Sequence, residues 1–398
     1  MKLGRVPLRC LGSIVMVLAG CGGAAPQSTP PPTTEPTSNE TAPTSATAQP
    51  TPTATTTGAA FPTDAFAAIT EDPVPAELAA ELQTILERLA GGAGVSATVM
   101  SAHGTWSGAS GKADGIRDVT IEDQFSIAST TKTVTAAQVM QLVEAGQLGL
   151  DDLAADHLPA DLDFDANGAT IRHLLGHRSG IPDYGQAVGP QFAADPLRFW
   201  TPAELLAEIP ADRTTAGEAF DYGNVNYVLL GLVVEEVTGR PFASVLRDGV
   251  LAIDGVGRLI YQPDEMPTPP IAIENGQSVD WFESVGGFLP SYALTSDGPA
   301  AAMASDSVSL GRWWRALCAG EIVSEASLTA MLPTDDVYGL GLYWADPPGT
   351  VGHGGEDVGG VSLAGCLPDD GIVVAVLVNR SVDSSAIAGP LVEALRAP

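Results

Sequence analysis

The sequence predicts a mixed α/β (α+β) fold, with an antiparallel sheet flanked by helices and a mainly helical second lobe. Two observations favour this class. Short β-type segments bounded by turn residues occur at 95–109 and again near the end of the chain, at 338–378. Residues 150–280 instead show mostly helical patterns separated by loops rich in Pro, Gly and Asp. We therefore expect two lobes with these bounds: a sheet lobe over 63–150 and 285–398, and a helical lobe over 151–284.

The first residues, 1–20, have the pattern of a bacterial signal peptide. A basic start is followed by a short apolar run, Leu11–Ala19, which covers too little of a ~30 Å hydrocarbon core to span it. The run leads into the tetrad L-A-G-C, which closes at Cys21 and resembles the lipobox of bacterial lipoproteins. On that resemblance Cys21 is the lipid attachment site, and an ordinary cleaved signal is the alternative. We expect an exported protein, held on the outer face of the bacterial cell membrane by its N-terminal lipid only.

Residues 21–62 are predicted to form a disordered, lipid-anchored tether. From 24 to 60 the chain is almost entirely Pro, Thr, Ser, Ala, Gln and Gly, and its only charged residues are Glu35 and Glu40. Such a composition cannot bury enough apolar surface to offset the entropy of ordering the chain. The tether would hold the folded body, 63–398, away from the membrane surface.

The composition also excludes several kinds of partner and cofactor. The chain has 18 Lys+Arg against 48 Asp+Glu, a formal net charge of −30, so it would repel a nucleic-acid backbone. No C-x-x-C or H-E-x-x-H pattern is present, and we interpret His173 and His177 as structural rather than metal-binding. We therefore expect no metal and no organic cofactor. Cys318 and Cys366 could form one disulfide or remain buried free thiols.

Local periodicity gives the elements of the folded body in chain order. We expect helices where apolar residues recur at i, i+3 and i+4, and strands where short apolar runs alternate with turns. The predicted elements are a helix at 75–90, a hairpin of 95–100 with 105–109, helices at 130–145 and 227–237, strands at 338–344, 350–353, 359–367 and 372–378, and a closing helix at 387–396.

An S-x-x-K tetrad, Ser129 to Lys132, opens the predicted helix at 130–145. The i,i+3 spacing places the serine hydroxyl and the lysine amine on one face of the helix. A nucleophilic serine needs a nearby base, and a desolvated lysine can lose its proton and take that role. The helix N-terminus adds free N–H groups for an oxyanion. The pattern is typical of a nucleophile and its base, and the alternative is an N-capping Ser129 with a solvated Lys132.

Two more short motifs carry polar side chains that suit the same chemistry. The Y-G-N motif places Tyr222 and Asn224 on a loop before the helix at 227–237. A tyrosine can move a proton if cationic neighbours lower its pKa, and an asparagine amide both donates and accepts. The G-H-G-G motif, with His353 and Gly355, is expected at the end of a strand and the start of a turn. Glycines there let a substrate lie against the backbone.

In this order and spacing, the three motifs resemble those of the serine β-lactamase and penicillin-binding-protein superfamily. The branch that fits best contains class C β-lactamases, D-alanyl-D-alanine carboxypeptidases, D-aminopeptidases and related esterases. The resemblance covers about residues 75–380 and extends to these flanking segments: 125–128, 133–136, 146–152, 171–181 and 226–231.

The resemblance implies a division of catalytic roles. Ser129 would attack the carbonyl carbon of the substrate and form an acyl-enzyme. Lys132 and Tyr222 would share the proton transfers, with Tyr222 serving the leaving group and the water. The acidic residues beside these motifs, Asp183 and Asp221, are interpreted as charges on solvated loops.

The resemblance also implies a substrate-binding set. Asn224 would hold the substrate amide or order the lysine side chain. His353 occupies the position where family members have Lys or His, and together with Gly355 and Glu356 it would line the substrate site. The backbone N–H groups of Ser129 and Glu356 would form the oxyanion hole.

The third motif departs from the commoner family pattern, in which a lysine has a hydroxyl-bearing neighbour. His353 is mostly neutral at pH 7 and Gly354 has no hydroxyl, so both would hold a substrate carboxylate weakly. Glu356 and Asp357 would repel it. We therefore expect a serine hydrolase that acts on an ester or amide/peptide bond of a small-molecule or peptide substrate, with β-lactam hydrolysis less favoured. The alternatives are a surface sensor that is acylated without turnover and a scaffold whose motifs are relics.

Overall fold

The fold is described by a computed structural model over residues 60–195, 197–262, 264–273, 296–333, 338–347, 349–357 and 359–396. The predicted signal peptide, the lipobox cysteine Cys21 and the tether up to residue 59 lie outside these residues. The predicted lobe boundary at 284–285 lies outside them as well.

The described residues form strands at both ends of the folded region and mostly helices between them. The strands are β1 Val95–Ser101, β2 Gly104–Ser110, β3 Phe125–Ser126, β4 Ile260–Tyr261, β5 Met303–Ser305, β6 Tyr343–Ala345, β7 Thr350–Asp357, β8 Gly360–Leu367 and β9 Ile372–Val378. The α-helices are α1 Thr63–Ala67, α2 Ala76–Leu89, α3 Thr131–Glu144, α4 Ile171–Leu175, α5 Gly185–Ala194, α6 Pro202–Ala207, α7 Asn224–Thr238, α8 Phe242–Asp248, α9 Ser307–Cys318, α10 Glu325–Met331 and α11 Ser385–Arg396. Short 3₁₀ turns lie at Ala128–Thr130, Ala154–His157 and Gly298–Ala300.

The main sheet joins the two ends of the folded region, as the sequence predicts. Its six strands have the order β2-β1-β9-β8-β7-β6, and every neighbouring pair is antiparallel. The pairing of Val95 with Val378 sets the register of the first strand against the last. The mixed α/β class and the antiparallel sheet are therefore confirmed.

Hydrophobic residues on both faces of the sheet explain why helices cover it on both sides. Alternate residues of β9 belong to two separate cores, with Val374 and Val376 on one face and Val373 and Ala375 on the other. Helices α2 and α11 cover the first face, and α9 covers the second. Because every residue of β9 is buried, the strand is a continuous apolar run rather than an alternating one.

Among the helices between β2 and β5, α7 packs against α3, α4 and α8. A small sheet, β3-β5-β4, closes this region, and it is too short to be predicted from periodicity because two of its strands contain only two residues each. None of the helices in the described part of the chain is both long and apolar enough to cross a bilayer.

The two cysteines of the folded body form a disulfide, which was one of the two predicted alternatives. Cys318 ends α9 and Cys366 lies in β8, 48 residues further along the chain. The bond therefore ties a covering helix directly to the strand that follows the G-H-G-G motif.

Candidate active site

The S-x-x-K serine lies on a tight turn between the sheet and α3. Ser129 is the middle residue of the 3₁₀ turn Ala128–Thr130, which runs directly into α3. The Thr130 hydroxyl donates to the carbonyl of His353 on β7, 3.2 Å away, and the Ser362 hydroxyl of β8 donates to the carbonyl of Ile127, 2.7 Å away. Ala128 has a φ of 45°, a region that non-glycine residues rarely adopt. The sheet thus holds the serine on a strained turn.

The lysine of the tetrad is buried beside the serine. Lys132 has no exposed surface, and its Nζ lies 3.0 Å from Ser129 Oγ. Removal from water disfavours the ammonium form and lowers the pKa of this lysine from 10.5 to about 7, although the negative charges of Asp297 and Asp183 oppose the shift. The prediction of a desolvated lysine one helical turn from the serine is confirmed, and the alternative of a solvated Lys132 is wrong.

The two other neighbours of the amine set the direction of its lone pair. Lys132 Nζ donates to Asn224 Oδ1 at 2.7 Å and to the carbonyl of Ala300 at 3.1 Å. Both oxygens are pure acceptors, so each takes one hydrogen from the neutral amine. The lone pair is then directed at the third neighbour, Ser129 Oγ, which has a hydrogen to donate. The geometry therefore suits proton transfer from Ser129 to Lys132.

The tyrosine of the Y-G-N motif completes this group. Its ring centroid lies 4.8 Å from Lys132 Nζ, and its hydroxyl forms a hydrogen bond with the Ser129 side chain. Tyr222 is 40 % exposed, yet desolvation still raises the pKa of its phenol, and the hydrogen bond only partly offsets that rise. The condition of a pKa lowered by cationic neighbours is not met, because desolvation has the largest effect on the phenol. Tyr222 is a protonated phenol and hence a proton donor.

His177 positions Tyr222 through three contacts, one with its ring and two with its neighbours in the chain. Its backbone carbonyl accepts from the amide of Asp221 at 2.8 Å, and its Nδ1 accepts from the amide of Gly223 at 3.3 Å. These are the residues immediately before and after Tyr222, whose ring centroid lies 4.2 Å from that of the imidazole. His177 is buried and has a φ of 55°, so a strained backbone brings about this contact. The interpretation of His177 as structural support is consistent with these contacts.

His173, the other histidine considered for metal binding, is used locally. Its Nδ1 accepts from the amide of Thr170, whose hydroxyl accepts in return from the His173 amide, which closes a capping box at the start of α4. Within the described ranges, no group of three or more His, Cys, Asp or Glu side chains could hold a metal ion.

Asn224 is the first residue of α7, where it links the lysine to an acidic residue. Its Oδ1 accepts from Lys132, and its Nδ2 donates to Asp297 Oδ1 at 2.9 Å. Of its two predicted roles, the structure shows the ordering of the lysine side chain. The role of holding a substrate amide stays a prediction.

The G-H-G-G motif lies in the middle of β7, not at its end as predicted. The strand continues to Asp357 because β8 pairs with its whole length. A Cβ at Gly355 would lie 2.4 Å from the carbonyl oxygen of Ile127 and 2.7 Å from the amide nitrogen of Ser129. Gly355 therefore permits the nucleophile turn to approach the strand, and the motif does not mark a chain reversal.

Gly355 brings the serine amide next to the amide of Glu356. The amide of Gly354 donates to the Tyr343 hydroxyl on β6, away from β8. Backbone amides two residues apart on a strand point the same way, so the amide of Glu356 also points away from β8. This arrangement suits the predicted oxyanion hole of Ser129 and Glu356 amides.

His353 is buried in β7. It is 2 % exposed, its Nε2 lies 3.0 Å from the Tyr338 hydroxyl, and its Nδ1 lies 2.5 Å from the carbonyl of Gly354. The carbonyl can only accept, so Nδ1 carries the hydrogen and Nε2 accepts from the phenol. Burial lowers the pKa of His353 to about 3, so it is neutral, as expected. Both nitrogens are engaged within the protein, and the predicted substrate-binding role of His353 stays a prediction.

Two acidic residues were misjudged from the sequence. Asp357 does not face the cleft, because its Oδ2 accepts from the Ser126 hydroxyl at 2.5 Å and its Oδ1 accepts from an amide in the β7–β8 turn. Asp183 is not a solvated loop charge, because its Oδ1 accepts from the amide of Val225 at the start of α7. Glu356 is exposed, as expected for a charge beside the site.

Sequence reasoning missed Asp297 altogether. The residue lies in no motif and in no periodic segment, so the sequence offered no signal beyond an acidic residue in a loop before β5.

Comparison with known proteins agrees with this geometry. A family model described as Beta-lactamase matches residues 82–397. Penicillin-binding protein 4 of Amycolatopsis lactamdurans is 29 % identical over 297 residues, which cover 67 % of this chain and 75 % of that protein. The chain spans 40 % or less of the length of three further curated relatives that it matches.

Two solved structures match this chain over almost their whole length. A D-stereospecific amidohydrolase from Streptomyces sp. is 27 % identical with a TM-score of 0.65, covering 78 % of this chain and 97 % of that one. A D-amino acid amidase from Ochrobactrum anthropi SV3 is 23 % identical with a TM-score of 0.69, covering 81 % of this chain and 100 % of that one; it supports the fold alone. The chain therefore belongs to the Beta-lactamase family, within the β-lactamase and transpeptidase-like superfamily of serine hydrolases.

Proposed function

We propose that the protein hydrolyses an ester or amide bond of a small-molecule or peptide substrate through an acyl-enzyme on Ser129. The observation that carries the proposal is the 3.0 Å contact between the Ser129 hydroxyl and the fully buried amine of Lys132. A serine hydroxyl is a weak nucleophile at neutral pH, and an uncharged amine at hydrogen-bond distance is the base that it needs.

The proton transfers follow from the environments of the two titratable groups. As Ser129 Oγ bonds to the carbonyl carbon, its proton moves to Lys132 Nζ and the carbonyl oxygen becomes negative beside the amides of Ser129 and Glu356. When the carbonyl–leaving-group bond breaks, the leaving group takes the proton of Tyr222, and Lys132 returns its proton to the phenolate. Water then attacks the acyl-enzyme by the same steps in reverse order.

Charge at the site supports substrates without a negative group next to the scissile bond. His353 is neutral and engaged with Tyr338, while Glu356 is exposed beside it. Asp183 and Asp297 both lie close enough to act on the charge of Lys132. We therefore favour neutral esters and amides of amino acids with a free amine. The similarity to a D-stereospecific amidohydrolase supports amide substrates.

The first experiment identifies the nucleophile. The wild-type protein and Ser129→Ala are treated with a fluorophosphonate probe, and the adduct is located by mass spectrometry. We expect one adduct, on Ser129, and a loss of about 10⁴-fold or more in kcat for Ser129→Ala. Ser107→Ala, a half-buried serine on β2 at the far edge of the sheet, is the matched control and should keep both. Turnover that survives in Ser129→Ala would contradict the proposal.

The second experiment ranks substrates by kcat/KM. The panel contains p-nitrophenyl esters, D- and L-amino acid amides with and without an acetylated amine, and nitrocefin. We expect esters and free-amine amides to exceed nitrocefin, and the reverse order would overturn the charge argument. An acylation burst without turnover would instead indicate the non-turnover sensor.

We also propose that Cys21 carries a lipid that anchors the protein to the outer face of the membrane. The support is the L-A-G-C tetrad after a short apolar run. Metabolic labelling with an alkyne fatty acid in a bacterial host should mark the wild-type protein and Cys10→Ala, but not Cys21→Ala. Equal labelling of all three would contradict lipid attachment at this cysteine.

A further inference from the structure

Asp297 is a half-buried carboxylate in contact with the polar groups that surround the lysine. Its Oδ1 lies 2.9 Å from Asn224 Nδ2, and the hydroxyl of Tyr184 lies 3.2 Å from the same oxygen and 2.7 Å from the carbonyl of Ser296. The Tyr184 side chain is 1 % exposed. Asp297 is therefore fixed between a buried phenol and the amide that touches the catalytic base.

The contact determines which way the asparagine amide faces. An asparagine side chain presents one accepting oxygen and one donating nitrogen, and rotation of the amide exchanges them. Because the carboxylate of Asp297 only accepts, it takes the Nδ2 side and leaves Oδ1 for Lys132. In the opposite orientation, amide hydrogens would face the amine, and the oxygen would face the carboxylate.

We propose that Asp297 is a positioning residue for the hydrolysis: it holds Asn224 with Oδ1 toward Lys132, and its charge sets the pH at which the lysine becomes an available base. The inference rests on the proposed function and deepens it. Asp297 touches neither Ser129 nor the scissile bond, and it acts through Asn224 and through the electrostatic field at Lys132.

The sign of the electrostatic effect is fixed by the charges. A negative carboxylate stabilises the ammonium form of Lys132 and so opposes the fall in its pKa caused by burial. Removing that charge makes the neutral amine available at lower pH. The titratable groups that act on Lys132 or lie against it are Asp183, Asp297, His177, His353, Tyr222 and Tyr227. Burial keeps both imidazoles neutral, and both phenols are protonated near neutral pH, so among the described residues the two aspartates are the groups that add charge.

The test separates the charge of Asp297 from its hydrogen bond. Asp297→Asn keeps an oxygen that can accept from Asn224 but removes the charge, whereas Asp297→Ala removes both. The rate kcat/KM for a neutral p-nitrophenyl ester is measured against pH at constant ionic strength, because this quantity reports groups of the free enzyme. Asp306→Asn is the matched control, since Asp306 is a buried aspartate that caps α9 and pairs with Arg258.

We expect Asp297→Asn to move the acid limb of the profile to lower pH by about one pH unit. Its plateau should stay near that of the wild type, while Asp297→Ala shows the same displacement and a plateau about tenfold lower. Asp306→Asn should leave the limb in place. If Asp297→Ala does not fold, the pH of the acid limb in Asp297→Asn still shows whether the charge of Asp297 acts on Lys132.

Two results would overturn the inference: an acid limb at the wild-type pH in Asp297→Asn, or a plateau in Asp297→Asn as low as that in Asp297→Ala. Either result leaves the proposed function intact as long as Ser129→Ala is inactive. Turnover in Ser129→Ala would instead remove the proposed function itself.

Discussion

The buried amine of Lys132 predicts how the stability of the protein depends on pH. In the native state its pKa is about 7, lowered by burial, whereas an unfolded lysine keeps its proton up to its ordinary value of 10.5. Between these two values the unfolded chain binds one more proton than the native chain does at this position. The free energy of unfolding must then rise with pH across this window.

Lys132→Met removes the titrating group and keeps an apolar side chain of similar length. A difference of one bound proton changes the free energy of unfolding by ~1.4 kcal/mol per pH unit. From about pH 7.5 to about pH 9.5, the wild type should therefore gain roughly 2–3 kcal/mol relative to Lys132→Met. Lys112 is exposed and paired with Asp118, so Lys112→Met is the matched control and should follow the wild type.

Urea unfolding of the three proteins, at several pH values and constant ionic strength, measures this difference. Titrating groups far from Lys132 contribute equally to all three proteins and cancel in the comparison. Parallel dependences for wild type and Lys132→Met would refute the reasoning, because they would mean that Lys132 is charged in the folded protein. A charged lysine could not accept the proton of Ser129, and the proposed mechanism would fail with it.

Three more sets of substitutions test the surroundings of the site and the disulfide. Gly355→Ala places a methyl group against the backbone of the nucleophile turn, so we expect acylation of Ser129 by a fluorophosphonate to slow by about 10²-fold with the fold retained; acylation at the wild-type rate would contradict the close approach. His177→Ala should lower kcat by about tenfold or more. His177→Asn retains an acceptor near the position of Nδ1, so it should recover part of the lost kcat. An equal loss of kcat in both variants would argue against a role for the hydrogen bond from the Gly223 amide. Replacing Cys318 and Cys366 together by serine should lower the free energy of unfolding by about 2–4 kcal/mol in non-reducing urea titrations, and unchanged stability would show that the bond adds nothing.

The parts of the site that are close in sequence could be predicted from the sequence alone. The spacing of Ser129 and Lys132 brings them together on any helix, and only the degree of burial had to be guessed. The expectation that Tyr222 and Asn224 join this pair came from the resemblance of the motifs, since no local pattern brings a loop so distant in sequence to the helix. The antiparallel sheet was predictable because both ends of the folded region show short β-type runs.

The errors arose where the environment of a residue depends on distant partners. The glycines around His353 were read as a turn, but the extent of β7 is decided by its pairing with β8. A cationic neighbour could have lowered the pKa of Tyr222, but desolvation, which the sequence does not show, has the larger effect and raises it. Asp183 and Asp297 resembled ordinary loop residues, and only the packing of α7 against them brings them to the site.

The division of acid and base roles follows from opposite effects of one desolvated environment. Desolvation disfavours whichever form of a group is charged, so it lowers the pKa of the Lys132 ammonium and raises that of the Tyr222 phenol. Near neutral pH, one group can accept a proton and the other can donate one, although their ordinary pKa values are almost equal. A site more open to water would leave both groups protonated and would lack a base. The burial of Lys132, which destabilises the folded protein, is therefore the same property that makes Ser129 reactive. Asp297 limits how far the pKa of the lysine falls.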